Sequence, residues 1–245
     1  MKKIVRNHDE IMYFYENRYE RPKQIHLKIL ELIKQNINDK NHKMRISDYG
    51  CAAGELEYVL FKDLDNKEIV GYEFVEKLIK KAKDNVKGVK FLKGDITKQE
   101  TSKKNSNDFS ISLGVLPIFD SFEDILSNLI YWTKPGGFIF LHSLFNDFNL
   151  DVYVKYNHSE DYYQDFRESG WNIFSKKSIS NFINSHNDVL CHEYIDFKLD
   201  FELEKQSDIL RSWTIDDYKG KKLITNGLCL LQPHSILKIQ KKIKN

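Results

Sequence analysis

The sequence predicts an α/β fold in which helices cover both faces of a doubly wound, mainly parallel sheet. Three observations predict it: short apolar segments alternate with amphipathic ones, a glycine-rich turn follows the first apolar segment, and polar residues stand at the ends of the later ones. Right-handed crossovers between parallel strands place their helices on both faces of the sheet. The 245 residues show no break in composition, so we expect a single domain.

The elements of this alternation follow in a regular order. Two helices are expected within residues 8–37, where Ile25, Ile29 and Ile33 recur at helical spacing. Predicted strands then cover 45–49, 68–73, 89–95, 109–114 and 138–142, predicted helices cover 55–62, 75–85 and 122–132, and a turn at 135–137 precedes the fifth strand.

The pattern changes after the fifth strand. Residues 143–174 are rich in aromatic side chains and Asp, and we interpret them as an inserted cap. A helix capped by Ser175 is expected next, then an extended segment over 189–201, a hairpin that turns at 216–220, and a last strand within 228–240. The aromatic residues of the cap are Phe145, Phe148, Tyr153, Tyr156, Tyr162, Tyr163, Phe166 and Trp171.

Composition argues against several classes of protein. The 38 basic and 36 acidic residues give a net charge of +2, too close to neutral for a broad nucleic-acid-binding surface. No stretch approaches the roughly 20 apolar residues that span a bilayer, and no secretory signal is visible, so we expect a cytoplasmic protein.

Cys51, Cys191 and Cys229 lack metal-ligand spacing, and the carboxylates after the fourth and fifth strands are scattered. We therefore expect no metal site and interpret the cysteines as buried thiols.

The strongest functional signal is the segment from Asp48 to Gly54, between the first strand and its helix. Glycines there allow a tight turn and let a ligand contact the backbone. In an open α/β sheet, ligands bind beyond the carboxyl ends of the strands, where the winding reverses. A glycine-rich turn alone would also suit a nicotinamide dinucleotide, although the spacing of the third glycine is not met here.

Three further strand ends contribute groups to the same cleft. Glu73 ends the second strand, 23 residues after Gly50, where a carboxylate can accept both hydroxyls of a ribose. Asp95 ends the third strand and can accept a hydrogen bond from an exocyclic adenine amine. Leu113 and Gly114 end the fourth strand and allow close approach to the cleft.

As a set, these motifs resemble the class I S-adenosylmethionine-dependent methyltransferases over residues 44–142. The resemblance implies a Rossmann-like, seven-stranded sheet with an antiparallel last strand, and it implies S-adenosylmethionine as cofactor and S-adenosylhomocysteine as product. We divide the single domain into a helical lid (1–43), a cofactor-binding core (44–142), an acceptor cap (143–174) and C-terminal strands with a hairpin (175–245). The motifs that carry the resemblance are Asp48-x-Gly50-Cys51-x-x-Gly54, Glu73, Gly94-Asp95-Ile96, Leu113-Gly114-Val115-Leu116 and Lys134-Pro135-Gly136-Gly137.

The resemblance also implies a role for each site residue. Asp48 would orient the glycine-rich loop, Leu113 and Gly114 would lie near the sulfonium, and Tyr19 or Tyr13 would close over the cofactor from the lid. The remaining cofactor-binding residues would be Gly50, Cys51 and Gly54 for the methionine portion, Glu73 for the ribose, Phe74 and Ile96 for the two faces of the adenine, and Asp95 for its amine.

Methyl transfer from a sulfonium depends mainly on alignment, and a hydroxyl acceptor also benefits from a general base. His142, just past the fifth strand, is the first candidate for that base, because histidine titrates near neutrality. Asp147 and His158 in the cap are the alternative bases, and a purely structural role is the alternative interpretation of His142.

The aromatic cap suits a small polar acceptor such as a sugar, including a nucleotide-linked or phosphorylated one. The segments around Trp171, Trp213 and Asn226 loosely resemble methyltransferases of bacterial surface-polysaccharide (capsule) biosynthesis, which methylate sugars or substituents such as phosphoramidate. Arg211, with Arg18 or Arg21, would bind an anionic group or form surface ion pairs. Alternatives are N- or O-methylation of another small metabolite, methylation of protein or RNA, a nicotinamide oxidoreductase, and a non-catalytic cofactor-binding or partner protein.

Overall fold

A computed structural model describes residues 7–37, 39, 41–161 and 167–243; the predicted cap residues Tyr162, Tyr163 and Phe166 lie outside these ranges. Within them, helices and strands alternate as predicted and short 3-10 turns occur at Gln99–Thr101, Leu116–Ile118 and Ser159–Asp161. The helices and strands are α1 (Asn7–Tyr15), α2 (Gln24–Gln35), β1 (Met44–Tyr49), α3 (Glu55–Asp63), β2 (Lys67–Glu73), α4 (Glu76–Asn85), β3 (Lys90–Lys93), β4 (Asn107–Leu113), α5 (Glu123–Trp132), β5 (Thr133–Asn146), β6 (Lys155–Tyr156), β7 (Glu168–Ser169), β8 (Phe174–Ser175), α6 (Lys176–Asn184), β9 (Val189–Asp196), β10 (Trp213–Asp216), β11 (Lys222–Thr225) and β12 (His234–Lys241).

Seven strands form the central sheet in the order β3-β2-β1-β4-β5-β12-β9. The first five are parallel, and β12 runs antiparallel to both β5 and β9. The short β8 pairs with the end of β5, and β6 with β7 and β10 with β11 form separate hairpins. The winding reverses at β1, so the turn that follows β1 lies at the switch point. The predicted Rossmann-like, doubly wound, mainly parallel sheet with an antiparallel last strand is confirmed.

Helices cover both faces of this sheet. On one face α2 and α3 pack over Ile46, Phe109 and Phe140, and on the other α5 and α6 pack over Tyr49 and Leu141. Phe140 and Leu141 are neighbours in β5 but belong to different layers, because successive side chains of a strand point to opposite faces. Burial on both faces explains why these strands are almost continuously apolar in sequence.

Strand β5 is longer than the sequence pattern predicts. Leu144 and Phe145 remain buried, and Leu144 still pairs with His234 of β12, so the strand continues into the segment assigned to the cap. The predicted turn at 135–137 is a bulge within the strand: the β4 partner shifts from Asn107 opposite Thr133 to Phe109 opposite Phe138. The extra residues are accommodated because Gly136 has φ +79°, a left-handed conformation that suits glycine.

A buried asparagine ties the cap to the segment after β4. The backbone N–H of Asn172 donates to Pro117 O at 2.7 Å, and its Nδ2 donates to Phe119 O at 2.8 Å. Its Oδ1 accepts from the backbone N–H of Val154 at 2.8 Å. The side chain of Asn172 is fully buried, and these bonds satisfy it.

The interpretation of the cysteines as buried thiols is correct for Cys51 and wrong for Cys191 and Cys229, which are exposed. Cys191 lies on β9, the edge strand of the sheet, and Cys229 lies in a turn with φ +58°. Among the residues described, no helix has the length and apolar character to cross a membrane.

Candidate functional site

The loop after β1 is pinned to the end of β2. The backbone N–H groups of Gly50 and Cys51 both donate to Tyr72 O, at 2.8 Å and 3.1 Å. Gly50 has φ +90°, and a Cβ built on it would lie 2.3 Å from Val115 Cγ2. Gly54, with φ +82°, is the N-cap residue of α3. Position 50 therefore requires glycine for two separate reasons, its backbone conformation and the contact with Val115.

Gly114, directly after β4, borders open space. Its φ is +71°, its N–H donates to His142 O at 2.9 Å, and a Cβ built on it would meet no atom within 4 Å. The neighbouring Leu113 packs against the core on the α2 and α3 face. The carboxyl end of β4 thus borders a space that a ligand can approach closely.

Glu73 joins the end of β2 to the glycine-rich loop. Its Oε2 accepts from Ala52 N at 3.0 Å, and its Oε1 accepts from Phe74 N at 2.7 Å and Val75 N at 2.9 Å. Burial raises the pKa of Glu73, and these three backbone donors act in the opposite direction. A carboxylate has about four lone-pair positions, so a further donor can still bind to it.

Asp95 is held in a turn after β3. Its Oδ1 accepts from Thr97 N at 2.9 Å and from Thr97 Oγ1 at 2.8 Å, and its own N–H donates to Thr101 Oγ1 at 3.0 Å. The two residues expected to hold an adenine ring differ in exposure: Phe74 is 44% exposed, whereas Ile96 is 7% exposed and packs into the core on the α5 side.

The N-terminal segment contacts the same loop. Tyr19 donates its hydroxyl to Ala53 O at 2.8 Å and packs edge-on against Tyr58, and burial raises its pKa to about 12. Lys81 of α4 donates to the carbonyls of Tyr13 and Phe14, at 3.3 Å and 2.6 Å, and so holds the end of α1. The segment predicted as a lid is therefore attached to both the glycine-rich loop and α4.

His142 pairs with Leu113 across β5 and β4, beside Gly114. Its side chain is buried, and its Nε2 lies 3.1 Å from Nδ1 of His234, with the two rings nearly parallel. Burial lowers the pKa of His142 well below its usual value and lowers that of His234 to about 4, so both are neutral at pH 7.

The two alternative bases in the cap have other partners. Asp147 is mostly exposed and pairs with Lys176 Nζ at 2.6 Å. His158 is exposed, and its ring packs edge-on against Tyr156. Among the described residues, no group of three or more His, Cys, Asp or Glu side chains is placed to hold a metal ion.

The arginines predicted to bind an acceptor anion converge on a residue that sequence reasoning missed, Glu16. Its carboxylate accepts from Lys23 Nζ at 2.7 Å, Arg18 Nε at 3.3 Å and Arg211 Nη1 at 3.3 Å, and its side chain is 3% exposed. Burial raises the pKa of Glu16, but Lys23 and Arg211 outweigh it and the net pKa is lowered. Arg21 is exposed. Arg211 is 195 residues from Glu16, so no local sequence signal marks the pair.

Sequence reasoning also missed Glu57, in the first turns of α3. Its carboxyl group is fully buried and lies against that of Asp48 below the glycine-rich loop, where the two can hydrogen-bond if one of them is protonated. Burial, opposed by the hydrogen bond from Glu57, raises the pKa of Asp48 to about 7. Burial likewise raises the pKa of the neighbouring Cys51 thiol.

Known proteins share this architecture. Residues 40–204 match the family described as "Methyltransferase domain". A chain of the complex between the Haloferax volcanii methyltransferase activator Trm112 and a methyltransferase aligns at a TM-score of 0.61 and 13% identity, covering 98% of this chain and 100% of that one. The PH0226 protein of Pyrococcus horikoshii aligns at 0.57 and 15% identity, with 95% and 98% covered. A SAM-dependent methyltransferase of Archaeoglobus fulgidus aligns at 0.54 and 14% identity, with 94% and 99% covered.

No curated protein sequence matches the chain. At these identities the solved structures establish the fold, and the family match, which spans most of the chain, establishes the class of enzyme. The family implies catalysis that depends on S-adenosylmethionine. The chain therefore belongs to the class I S-adenosylmethionine-dependent methyltransferases.

Proposed function

We propose that the enzyme binds S-adenosylmethionine in the cleft between the glycine-rich loop and Gly114, and that it methylates a small polar acceptor there. The observation that carries this proposal is the open space at Gly114, beside the loop that starts at Gly50. A cofactor needs both a backbone it can contact and a volume it can occupy, and both are present at the switch point of the sheet.

The residues around the loop fit a cationic cofactor. The buried carboxyl groups of Asp48, Glu57 and Glu73 lie at or below the loop, and they suit a ligand that carries sulfonium and ammonium charges. The bound cofactor supplies an electrophilic methyl group. The residues proposed to hold it are Gly50, Cys51 and Gly54 at the methionine portion, with Asp48 supporting the loop; Glu73 at the ribose; Phe74, Asp95 and Ile96 at the adenine; Leu113 and Gly114 near the methyl group; and Tyr19 from the lid.

The chain's own contribution to the reaction is mainly alignment, which can be worth several kcal/mol or more. His142 is proposed to accept the acceptor's proton. A neutral imidazole has one donor and one acceptor nitrogen, and Nε2 of His142 bonds with Nδ1 of His234. His142 can act as a base at Nδ1 only when its Nε2 donates and Nδ1 of His234 accepts. The proposed role therefore requires the tautomer in which His142 donates to His234.

We propose a sugar, or a sugar substituent such as phosphoramidate, as the acceptor, in a cytoplasmic step of surface-polysaccharide synthesis. Aromatic side chains of the proposed cap, including Tyr153 and Phe148, are more than half exposed and offer apolar faces to a sugar ring. Three cations, Arg18, Lys23 and Arg211, surround the single carboxylate of Glu16. Their excess of positive charge favours an acceptor that carries a phosphate or a nucleotide.

Replacing Asp95 tests the cofactor site. We expect wild type to bind S-adenosylmethionine and S-adenosylhomocysteine with micromolar affinity by isothermal titration, and Asp95→Ala to weaken both about tenfold, as expected for a lost hydrogen bond to a charged group. Asp95→Asn keeps the Oδ1 that accepts from Thr97, so it preserves the turn and tests the second oxygen.

The matched control is Asp217→Asn, because the Oδ1 of Asp217 also accepts two backbone bonds, from Lys219 and Lys221, in the exposed β10–β11 turn. It is expected to bind both ligands as wild type does. Failure of folded wild type to bind either ligand would refute the proposed cofactor site.

Replacing His142 tests the general base. With an acceptor found by screening sugars and phosphorylated sugars, His142→Gln is expected to lower kcat about a hundredfold, a typical contribution of a positioned base. The dissociation constant of the cofactor should not change. The exposed His158→Gln serves as the control and should keep the wild-type kcat. A His142→Gln enzyme with unchanged kcat would show that alignment alone suffices.

A further inference from the structure

Two acidic side chains meet below the glycine-rich loop. Oδ1 of Asp48 and both carboxyl oxygens of Glu57 are buried, and apart from the contact between the two carboxyl groups no other described residue supplies them with a donor. Gly71, the β2 partner of Asp48, makes room for this contact, since a Cβ built on it would lie 2.8 Å from Oε1 of Glu57. Helix α3 therefore brings a second carboxyl group onto the sheet beside Asp48.

Two carboxyl groups can hydrogen-bond only if one of them keeps a proton. The titratable groups that face Glu57 are Asp48 from β1, Glu73 from β2, Cys51 from the loop and Tyr19 from the lid. None of these four is a cation, so none can neutralise a doubly ionised pair. The geometry itself requires a shared proton.

We propose that Asp48 and Glu57 share one proton in the free enzyme and release it to solvent when a sulfonium binds at the loop, which makes the site selective for S-adenosylmethionine over S-adenosylhomocysteine. This inference rests on the proposed function. The pair changes from one negative charge to two as the positive sulfonium arrives. Methyl transfer turns the sulfonium into a neutral thioether, and the pair then takes a proton back from solvent.

The proposal predicts how affinity depends on pH. The pair titrates in two steps. The pKa of Asp48, raised by burial to about 7, marks the loss of the first proton, and burial together with Asp48 raises the pKa of Glu57, which keeps the shared proton, well above its usual value. Above about pH 7, where the free pair keeps only the shared proton, release of that proton should strengthen S-adenosylmethionine binding about tenfold per pH unit. Affinity for S-adenosylhomocysteine should stay nearly constant over the same range.

Isothermal titration of both ligands from about pH 7 to pH 9 tests this. Glu57→Gln supplies a permanent N–H donor to Asp48 and is expected to make binding of both ligands nearly independent of pH. Glu55→Gln, on the same turn of α3, is the matched control: Oε1 of Glu55 accepts from Arg18 N, away from Asp48, so the wild-type slope should remain. A constant affinity ratio in wild type, or a wild-type slope in Glu57→Gln, would overturn the proposal.

Urea unfolding without cofactor gives a second measurement. Because the pKa values of the pair are raised in the folded state, the folded chain binds more protons than the unfolded chain between about pH 4 and pH 7. The free energy of unfolding should therefore fall as pH rises through this interval, and less steeply in Glu57→Gln.

If neither ligand binds at any pH, both the proposed function and the coupling fail, whatever the unfolding shows. If both bind without a pH slope, only the coupling fails.

Discussion

Gly50→Ala is expected to lower the affinity for S-adenosylmethionine at least about a hundredfold. The new Cβ would lie 2.3 Å from Val115 Cγ2, far inside van der Waals contact, and the residue would have to keep φ +90°, which costs a non-glycine residue roughly 1–2 kcal/mol. The loop must move to relieve both, and its two bonds to Tyr72 O move with it. Isothermal titration measures the loss, and circular dichroism establishes that the variant is folded.

Two other left-handed glycines separate the conformational cost from the effect on the site. Gly220 in the β10–β11 turn has φ +74° and Gly114 has φ +71°, and a Cβ on either would meet no atom within 4 Å. Their alanine variants should lose similar amounts of stability, since each carries only the conformational cost. Gly114→Ala should in addition impair cofactor binding or methyl transfer, whereas Gly220→Ala should not. If Gly50→Ala, Gly114→Ala and Gly220→Ala all bound S-adenosylmethionine with the same affinity, the cofactor cleft would have to lie elsewhere in the molecule.

Lys241→Met is expected to lower the free energy of unfolding by about 3 kcal/mol or more. Lys241 is 1% exposed at the end of β12. Its Nζ donates to Ile130 O at 2.8 Å, Thr133 O at 2.9 Å and Asn105 Oδ1 at 3.1 Å, and so satisfies carbonyls at the C-terminal end of α5. Methionine fills a similar volume but leaves these buried acceptors without a donor, which is the costly case. Urea denaturation measures the change.

The control for this substitution is Lys238→Met, also on β12. Lys238 is partly exposed and pairs with Glu193 at 3.1 Å, so its loss should cost less than about 1 kcal/mol, the usual range for a surface ion pair. Equal effects of the two substitutions would mean that the Lys241 bonds contribute no more than a surface contact.

Patterns that depend on neighbours in the chain were predictable. The order of strands and helices from β1 to β5 follows from apolar periodicity, and Ser175 caps α6 through its bond from Lys177 N as expected. Gly50 and Gly54 adopt left-handed conformations in the loop where the sequence predicted a tight turn. The sheet order and the antiparallel last strand came from the resemblance to a family rather than from periodicity.

Contacts between distant segments were not predictable in this way. His142 and His234 pair because β5 and β12 are neighbours in space, although 92 residues separate them. Glu16 meets Arg211 for the same kind of reason. The cysteine interpretation failed at Cys191 because nothing in a local window reveals that β9 is an edge strand.

The sequence by itself determined the α/β class, the position of the glycine-rich turn and the residues that end β1 and β2, because these depend on backbone preferences and on periodicity within a few residues. Only the tertiary structure decided that Glu57 lies against Asp48 and that Lys241 is buried under the end of α5. Glutamate and lysine usually face solvent, and the reason that these two do not lies in groups supplied by other elements. The energy of a buried charge depends on those partners, which the local sequence does not contain.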